Sequence, residues 1–295
     1  ALHTAVIKPR DQLLLTEQDK VAQLMGFNNA DELMFMVAKS ARTIDYVTDS
    51  VWHSIEHKKK RFTLRKSIRL AAGVISEAGE INLEPNFKLN ENSEIGMRAA
   101  AIAAQQGLPL SPEFVLQIAE NFSPLPSPWP RQVREDLISF IGAGSSMIRV
   151  FEALDQENLI SKWIPEWEHV RFLPQRNVLH RHTVDRHMLE TAVEAAKLTR
   201  TVRRPDLLLF AALFHDIGKG FQDKDHSEYG AQLIFDLALR IGFSKQDCET
   251  LRFLVAEHLT LSTAATRRDL DDPQTISDVV SKVGNHRSEE HTSEL

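Results

Sequence analysis

His215 and Asp216 stand side by side in the run Leu213-Phe214-His215-Asp216-Ile217-Gly218-Lys219-Gly220, where a long apolar stretch meets glycine. Imidazole nitrogen and carboxylate oxygen are both good donors to divalent ions, and an Asp beside a His can bridge two of them. A charge-bearing pair ending so apolar a segment meets a desolvation cost, and a metal is an economical partner. Further histidines fall at or near the ends of neighbouring helical segments: His187 upstream, His226 and His258 downstream. Any one of them alone would more often be a core or surface residue. Together they make His187, His215, Asp216, His226 and His258 the candidate metal ligands. One ion would lower the pKa of bound water and polarise a phosphoryl oxygen, and a second would stabilise the leaving oxygen. The expected chemistry is phosphoester hydrolysis, with Asp216, His215 and Lys219 as the catalytic candidates. Lys219 either contacts substrate phosphate or pairs with a carboxylate. Mixed His and Asp ligands suit Mg, Mn, Fe or Zn, with Mg or Mn foremost, as one or two ions.

Other chemistries find less in the chain. There is no glycine-rich phosphate loop followed by Lys-Ser/Thr, no G-x-S-x-G elbow, and Cys248 has no suggestive partner.

The elements that must position these residues read as helices. Val184 to about Thr199 is one; a second starts at Pro205, a good first-turn residue, and is apolar on nearly every face, as a central buried helix would be. Ser227 can cap a third, running to Arg240 and stopping at Gly242, and Ser244 a fourth, running to about His258. Upstream, Leu33, Met36, Val37, Ile44, Val47, Val51 and Ile55 recur at helical spacing, and most are expected in the core. The Lys58-Lys59-Lys60-Arg61 run reads as a solvated face or loop. Gly79 to Leu83 could form part of a small hairpin. Helical pattern resumes near Glu94 and from Pro112 to Ala119, capped by Ser111. Four prolines between Pro124 and Pro130 mark a stiff connector and a domain boundary. Helices from Arg131 and Ser145 follow, then an irregular tract from Ile164 to Asn177.

A chain of 295 residues with 42% apolar and 26% charged residues can build one large domain or two ordinary ones. A formal charge of -6 gives no global positive field for nucleic acid. One cysteine excludes a disulfide framework, no apolar run reaches membrane-spanning length, and the first residues lack a signal-peptide pattern. A cytoplasmic location is the default expectation, with no nucleic-acid or membrane partner. The start at Ala1 reads as a fragment or a processed product.

His187, His215-Asp216 and Lys219 resemble the HD superfamily of metal-dependent phosphohydrolases. The flanking runs resemble more narrowly the GlnD family, the bifunctional uridylyltransferase/uridylyl-removing enzymes of bacterial nitrogen control. Those runs are Pro165 to Arg171, Pro174 to Asn177, His180 to His187, His215 to Gly220, Asp225 to Ser227 and Arg267 to Pro273. The resemblance implies an all-α chain with room for one small β-hairpin: a helical linking domain over 1–127, connecting helices and an irregular tract over 128–179, and an HD domain over 180–286. It implies removal of a nucleotidyl group from a tyrosine of the PII signal protein, UMP in general and AMP in actinobacterial relatives. The nucleotidyltransferase domain has no counterpart here, and glutamine sensing would need ACT domains that are absent from this sequence. Asp185 is expected to orient an imidazole or serve the first turn of its helix; His180 and His182 either touch substrate or are structural. Arg267 and Arg268 either receive an anion or form a solvated turn with Asp272 as a cap. The superfamily supplies a late Asp ligand, which the run after Val283-Gly284-Asn285 lacks; Asp269, Asp271 and Asp272 are weak substitutes. Residues 287–295 read as a non-native tail in which His291 has no role. Two other readings stay open: an HD phosphohydrolase for free nucleotides, and a non-catalytic helical regulatory module.

Overall fold

Glycines and caps punctuate the chain where the sequence puts them. The computed structural model describes residues 1, 12–59, 67–176, 182–221 and 225–291, so Lys60, Arg61 and His180 lie outside the described residues. Helix α1 (Gln18–Met25) closes on Gly26 in the left-handed region and is followed by the long α2 (Ala30–Lys59). Three short strands come next, β1 (Ile68–Ala71), β2 (Val74–Glu77) and β3 (Glu80–Leu83), paired antiparallel in that order. The expected hairpin is thus a three-stranded sheet. Its β2–β3 turn puts Ala78 and Gly79 both at positive φ, as a two-residue hairpin loop demands. Val74 and Ile81 bury one face of it.

The rest is helical: α3 (Ile95–Gln106), α4 (Pro112–Glu120), α5 (Arg131–Ile141), α6 (Ser145–Gln156) and α7 (Leu159–Trp163), with a 3-10 turn at Pro165–His169. Then follow α8 (Val184–Ala196), α9 (Pro205–Phe214), a second 3-10 turn at Ile217–Gly220, α10 (His226–Ile241), α11 (Lys245–Ala256), α12 (Thr260–Arg267) and α13 (Pro273–His291). The chain is all-α apart from its small sheet. Among the described residues no single helix is long and apolar enough to cross a membrane.

Ser111 Oγ accepts from the Phe114 N–H and Ser244 Oγ from the Asp247 N–H, as their positions predict. Helix α10 departs from its prediction. Its cap is Asp225, whose carboxylate accepts from the Ser227 and Glu228 N–H groups, which places His226 at the first helical position instead of before it.

One buried cluster runs from Val74 and Ile81 through α3 and α5 to Trp167, Phe210, Phe214 and Val255. The proline tract is neither helix nor strand and bends at Ser127 and Pro128, and buried Trp129 donates its backbone N–H to the Arg240 carbonyl at 2.9 Å. The apolar core is therefore continuous on both sides of the sequence boundary at 127. Helix α9 sits inside it, with Phe210 and Phe214 fully buried.

Helix α2 contradicts its expected burial. Of its periodic apolar residues only Leu33 is buried; Met36, Val37, Ile44, Val47, Val51 and Ile55 are 40–67% exposed. The face that packs is a polar one, about 140° around the helix from Val37 at about 100° per residue. There Arg42 pairs with Asp185, with Asp155 at 3.1 Å and with Glu152 at 2.7 Å. Arg171 meets Asp155 from the other side at 3.0 Å. Both guanidinium groups stack on Phe172, at 4.5 and 4.8 Å from its ring centre. Burial pushes the Asp155 carboxyl up to about 6 against the opposing pull of Arg171 and Arg42. Charge pairing, together with Phe35 edge-on to Phe172 and Tyr46 against the main core, ties α2 to the rest of the fold.

Candidate metal centre

Four elements bring the candidate ligands to one place. His187 stands in the first turn of α8, His215 and Asp216 leave the C-terminus of α9, His226 opens α10, and His258 follows the end of α11. Asp216 is 2% exposed and lies in the middle. Its Oδ2 is 3.3 Å from His215 Nε2, 3.7 Å from His187 Nε2 and 2.7 Å from Lys219 Nζ; its Oδ1 is 3.4 Å from His258 Nε2. The Nε2 atoms of His187 and His215 are 3.2 Å apart. Ligand atoms fall into two groups able to hold an ion, His187 with His215 and Asp216, and Asp216 with His226 and His258. Asp216 is common to both.

The donor set fits a divalent metal. His215 Nδ1 lies 2.9 Å from the Ala212 carbonyl and His258 Nδ1 2.6 Å from the Val255 carbonyl. A ring nitrogen bonded to a carbonyl carries the proton, which leaves Nε2 with its lone pair facing the centre. His226 Nε2 is buried with no hydrogen-bond partner, a cost that an ion would remove. Burial lowers the pKa of His226 and so favours the neutral, ligating form. Burial alone would raise Asp216, but His215, His258 and Lys219 hold the carboxylate far below the usual range. His258 is raised on balance, burial being outweighed by Asp216.

Glycine shapes the loop that carries Lys219. A Cβ at Gly218 would strike the His226 carbonyl and come within 2.8 Å of the Gly230 nitrogen, so only glycine lets this turn lie against α10. A Cβ at Gly220 would meet His169 at 2.6 Å, and the His169 ring packs on Phe221 at 4.4 Å. The Pro165–His169 turn is thus a buttress for the metal loop. Gly218→Ala is expected to force α10 away from Asp216, lowering the thermal midpoint and weakening Mn binding together; a variant with wild-type midpoint and wild-type calorimetric affinity would contradict this.

Several expectations change. Of its two readings Asp185 follows the second, serving the first turn of α8 by accepting from the Arg186 N–H at 2.8 Å. Fully buried, it accepts from the Phe172 N–H at 2.9 Å and pairs with Arg42. His182 is exposed, and its carbonyl accepts from Gln175 Nε2 at 3.1 Å. Arg268 pairs with Asp278 at 2.6 Å, and Asp272 Oδ1 caps α13 through the Gln274 N–H, so this segment follows its solvated-turn reading. Asp269 serves the Asp271 N–H, and none of Asp269, Asp271 and Asp272 joins the ligand groups found among the described residues. The backbone of α13 stays helical to His291, into the run read as a non-native tail. Two residues had no assigned role in the sequence: Arg42, and Gln175, whose Oε1 accepts from Lys219 Nζ at 3.1 Å. Gln175 is within a run that carried the resemblance. Arg42 gave no local signal, because its partners lie more than a hundred residues away.

Five imidazole and carboxylate groups gathered at the ends of packed helices, with Lys219 beside them, define an HD-type site, and the HD domain family matches residues 184–287. Over 100% of its length the chain is 44% identical to the bifunctional uridylyltransferase/uridylyl-removing enzyme of Streptomyces coelicolor, of which it covers 37%. The enzymes of that name from Mycobacterium tuberculosis and Corynebacterium glutamicum are 38% and 33% identical over 96% and 91% of the chain, which covers 36% and 39% of them. The chain is similar to these enzymes over nearly its whole length and spans just over a third of theirs.

Proposed function

We propose that the centre built around Asp216 hydrolyses a phosphodiester, releasing a nucleotidyl group from a tyrosine of the PII signal protein. The observation that carries this reading is the double use of Asp216, shared by two ligand groups whose remaining members are all imidazoles. The relatives' name includes uridylyl removal, which supports the same reaction class. His187, His215, Asp216, His226 and His258 would hold one or two divalent ions, Mg or Mn foremost, supplying a Lewis acid and an activated water.

The chain's own residues do the rest. Asp216 stays ionised at every working pH and keeps the imidazole nitrogens turned inward. Lys219, 24% exposed, is held by Asp216 and Gln175 and presents its ammonium to an incoming phosphoryl oxygen. His187, 38% exposed, marks the open side of the centre. The location is cytoplasmic in this reading, and the domain limits remain 1–127, 128–179 and 180–286.

The test is chromatographic. With Mn or Mg present, the chain should release UMP or AMP from nucleotidylated PII and leave the unmodified tyrosine, and whichever modified form is processed names the group. Turnover of small diesters or free nucleotides alone would remove PII as the substrate, and no turnover of any of them would remove the hydrolase.

A further inference from the structure

A groove is lined by Gln175, the residue that accepts from Lys219. It encloses about 650 Å³ between the 12–18 segment, the start of α2 and the strip that leads into α8. Leu13, Leu14, Met34, Val37 and Pro174 give it apolar walls, and Gln175 stands at the end nearest the metal centre, where it accepts from Lys219. No Lys, Arg, Asp or Glu is among the described residues lining it. Val37 belongs at once to the groove and to the exposed stripe Val37, Ile44 and Val51 on α2. At about 1.5 Å per residue that stripe continues roughly 21 Å away from the groove.

From this continuity we infer that the groove receives the polypeptide flanking the modified side chain of a protein substrate, so that the helical segment before the HD domain selects what the centre cuts. The inference rests on the reaction proposed above. A free nucleotide brings phosphate charge and needs cations along its site, and the described residues of this lining include none. A polypeptide brings apolar side chains, and a long uncharged stripe beginning at the groove matches such a partner. The groove and the centre share Gln175, so a segment seated between Met34 and Pro174 leads its neighbouring side chain toward Lys219 and Asp216.

Val37 is 45% exposed, so Val37→Glu should not disturb folding. Two measurements are needed: calorimetric binding of nucleotidylated PII with divalent metal chelated, and Mn-dependent hydrolysis of thymidine 5′-(p-nitrophenyl phosphate). Val37→Glu is expected to bind the modified protein about tenfold more weakly or worse while cleaving the small diester within about twofold of wild type. Wild-type affinity in the variant would overturn the assignment, as would an equal loss on the small diester with native circular dichroism. Unchanged affinity together with lost self-association in sedimentation would also overturn it, giving the groove to a second copy. If the wild-type chain neither binds nor processes modified PII, the proposed function fails and the groove assignment with it; if only the variant's loss is missing, the groove assignment fails alone.

Discussion

Asp216→Ala is expected to abolish both metal binding and turnover while leaving the helices in place. Both ligand groups contain this residue, and its two oxygens face different imidazoles: Oδ2 meets His187 and His215, Oδ1 meets His258. No other ligand is used twice. Removing a residue that merely orients a ligand costs about 10–100-fold in metal affinity, so loss of this one should exceed about 100-fold. The side chain is small and its neighbours are polar, so helix content should survive in far-ultraviolet circular dichroism. Replacement of His226 should be milder, since it touches one group only. Mn affinity in Asp216→Ala within a few-fold of wild type would show that the imidazoles and carboxylate only pack together.

Arg42→Ala carries the largest expected cost in stability. Arg42 faces Asp155 and Asp185, both fully buried, and Glu152 beside them. Taking one partner from a buried ion pair leaves an uncompensated charge and costs roughly 3–5 kcal/mol. Asp155 keeps Arg171 and Asp185 keeps the Phe172 N–H, so a value near about 3 kcal/mol is expected. The urea midpoint should fall with an unchanged slope. Asp185 lies two residues before His187, so metal affinity should fall as well. A loss under about 1 kcal/mol would mean that the pairs contribute no more than surface salt bridges do.

Much of the site was legible because its signals are local. The His215-Asp216 pair, the glycines after it and the histidines near helix ends all sit within short windows, and helix period and caps placed their elements to within a few residues. Ser111 and Ser244 announce their helices; Asp225 was passed over because Ser227 looked equally suitable two residues on. What could not be read is what depends on distant partners. The stripe of α2 has a periodicity that usually marks a core face, yet that helix buries Arg42 through carboxylates on α6 and α8. Asp185 could be read as orienting an imidazole or serving its helix's first turn; it does the second, and its further partner, a guanidinium 143 positions earlier, left no local signal. Nor could the sequence show that Trp129, inside the proline tract read as a boundary, bonds through its backbone N–H to the Arg240 carbonyl and lies in the shared core.

The most direct test of the account is release of nucleotide from nucleotidylated PII by three samples: wild type with Mn, wild type with the metal chelated, and Asp216→Ala with Mn. The account predicts release in the first alone, with restored unmodified tyrosine. Equal release in the chelated sample or in Asp216→Ala would contradict it.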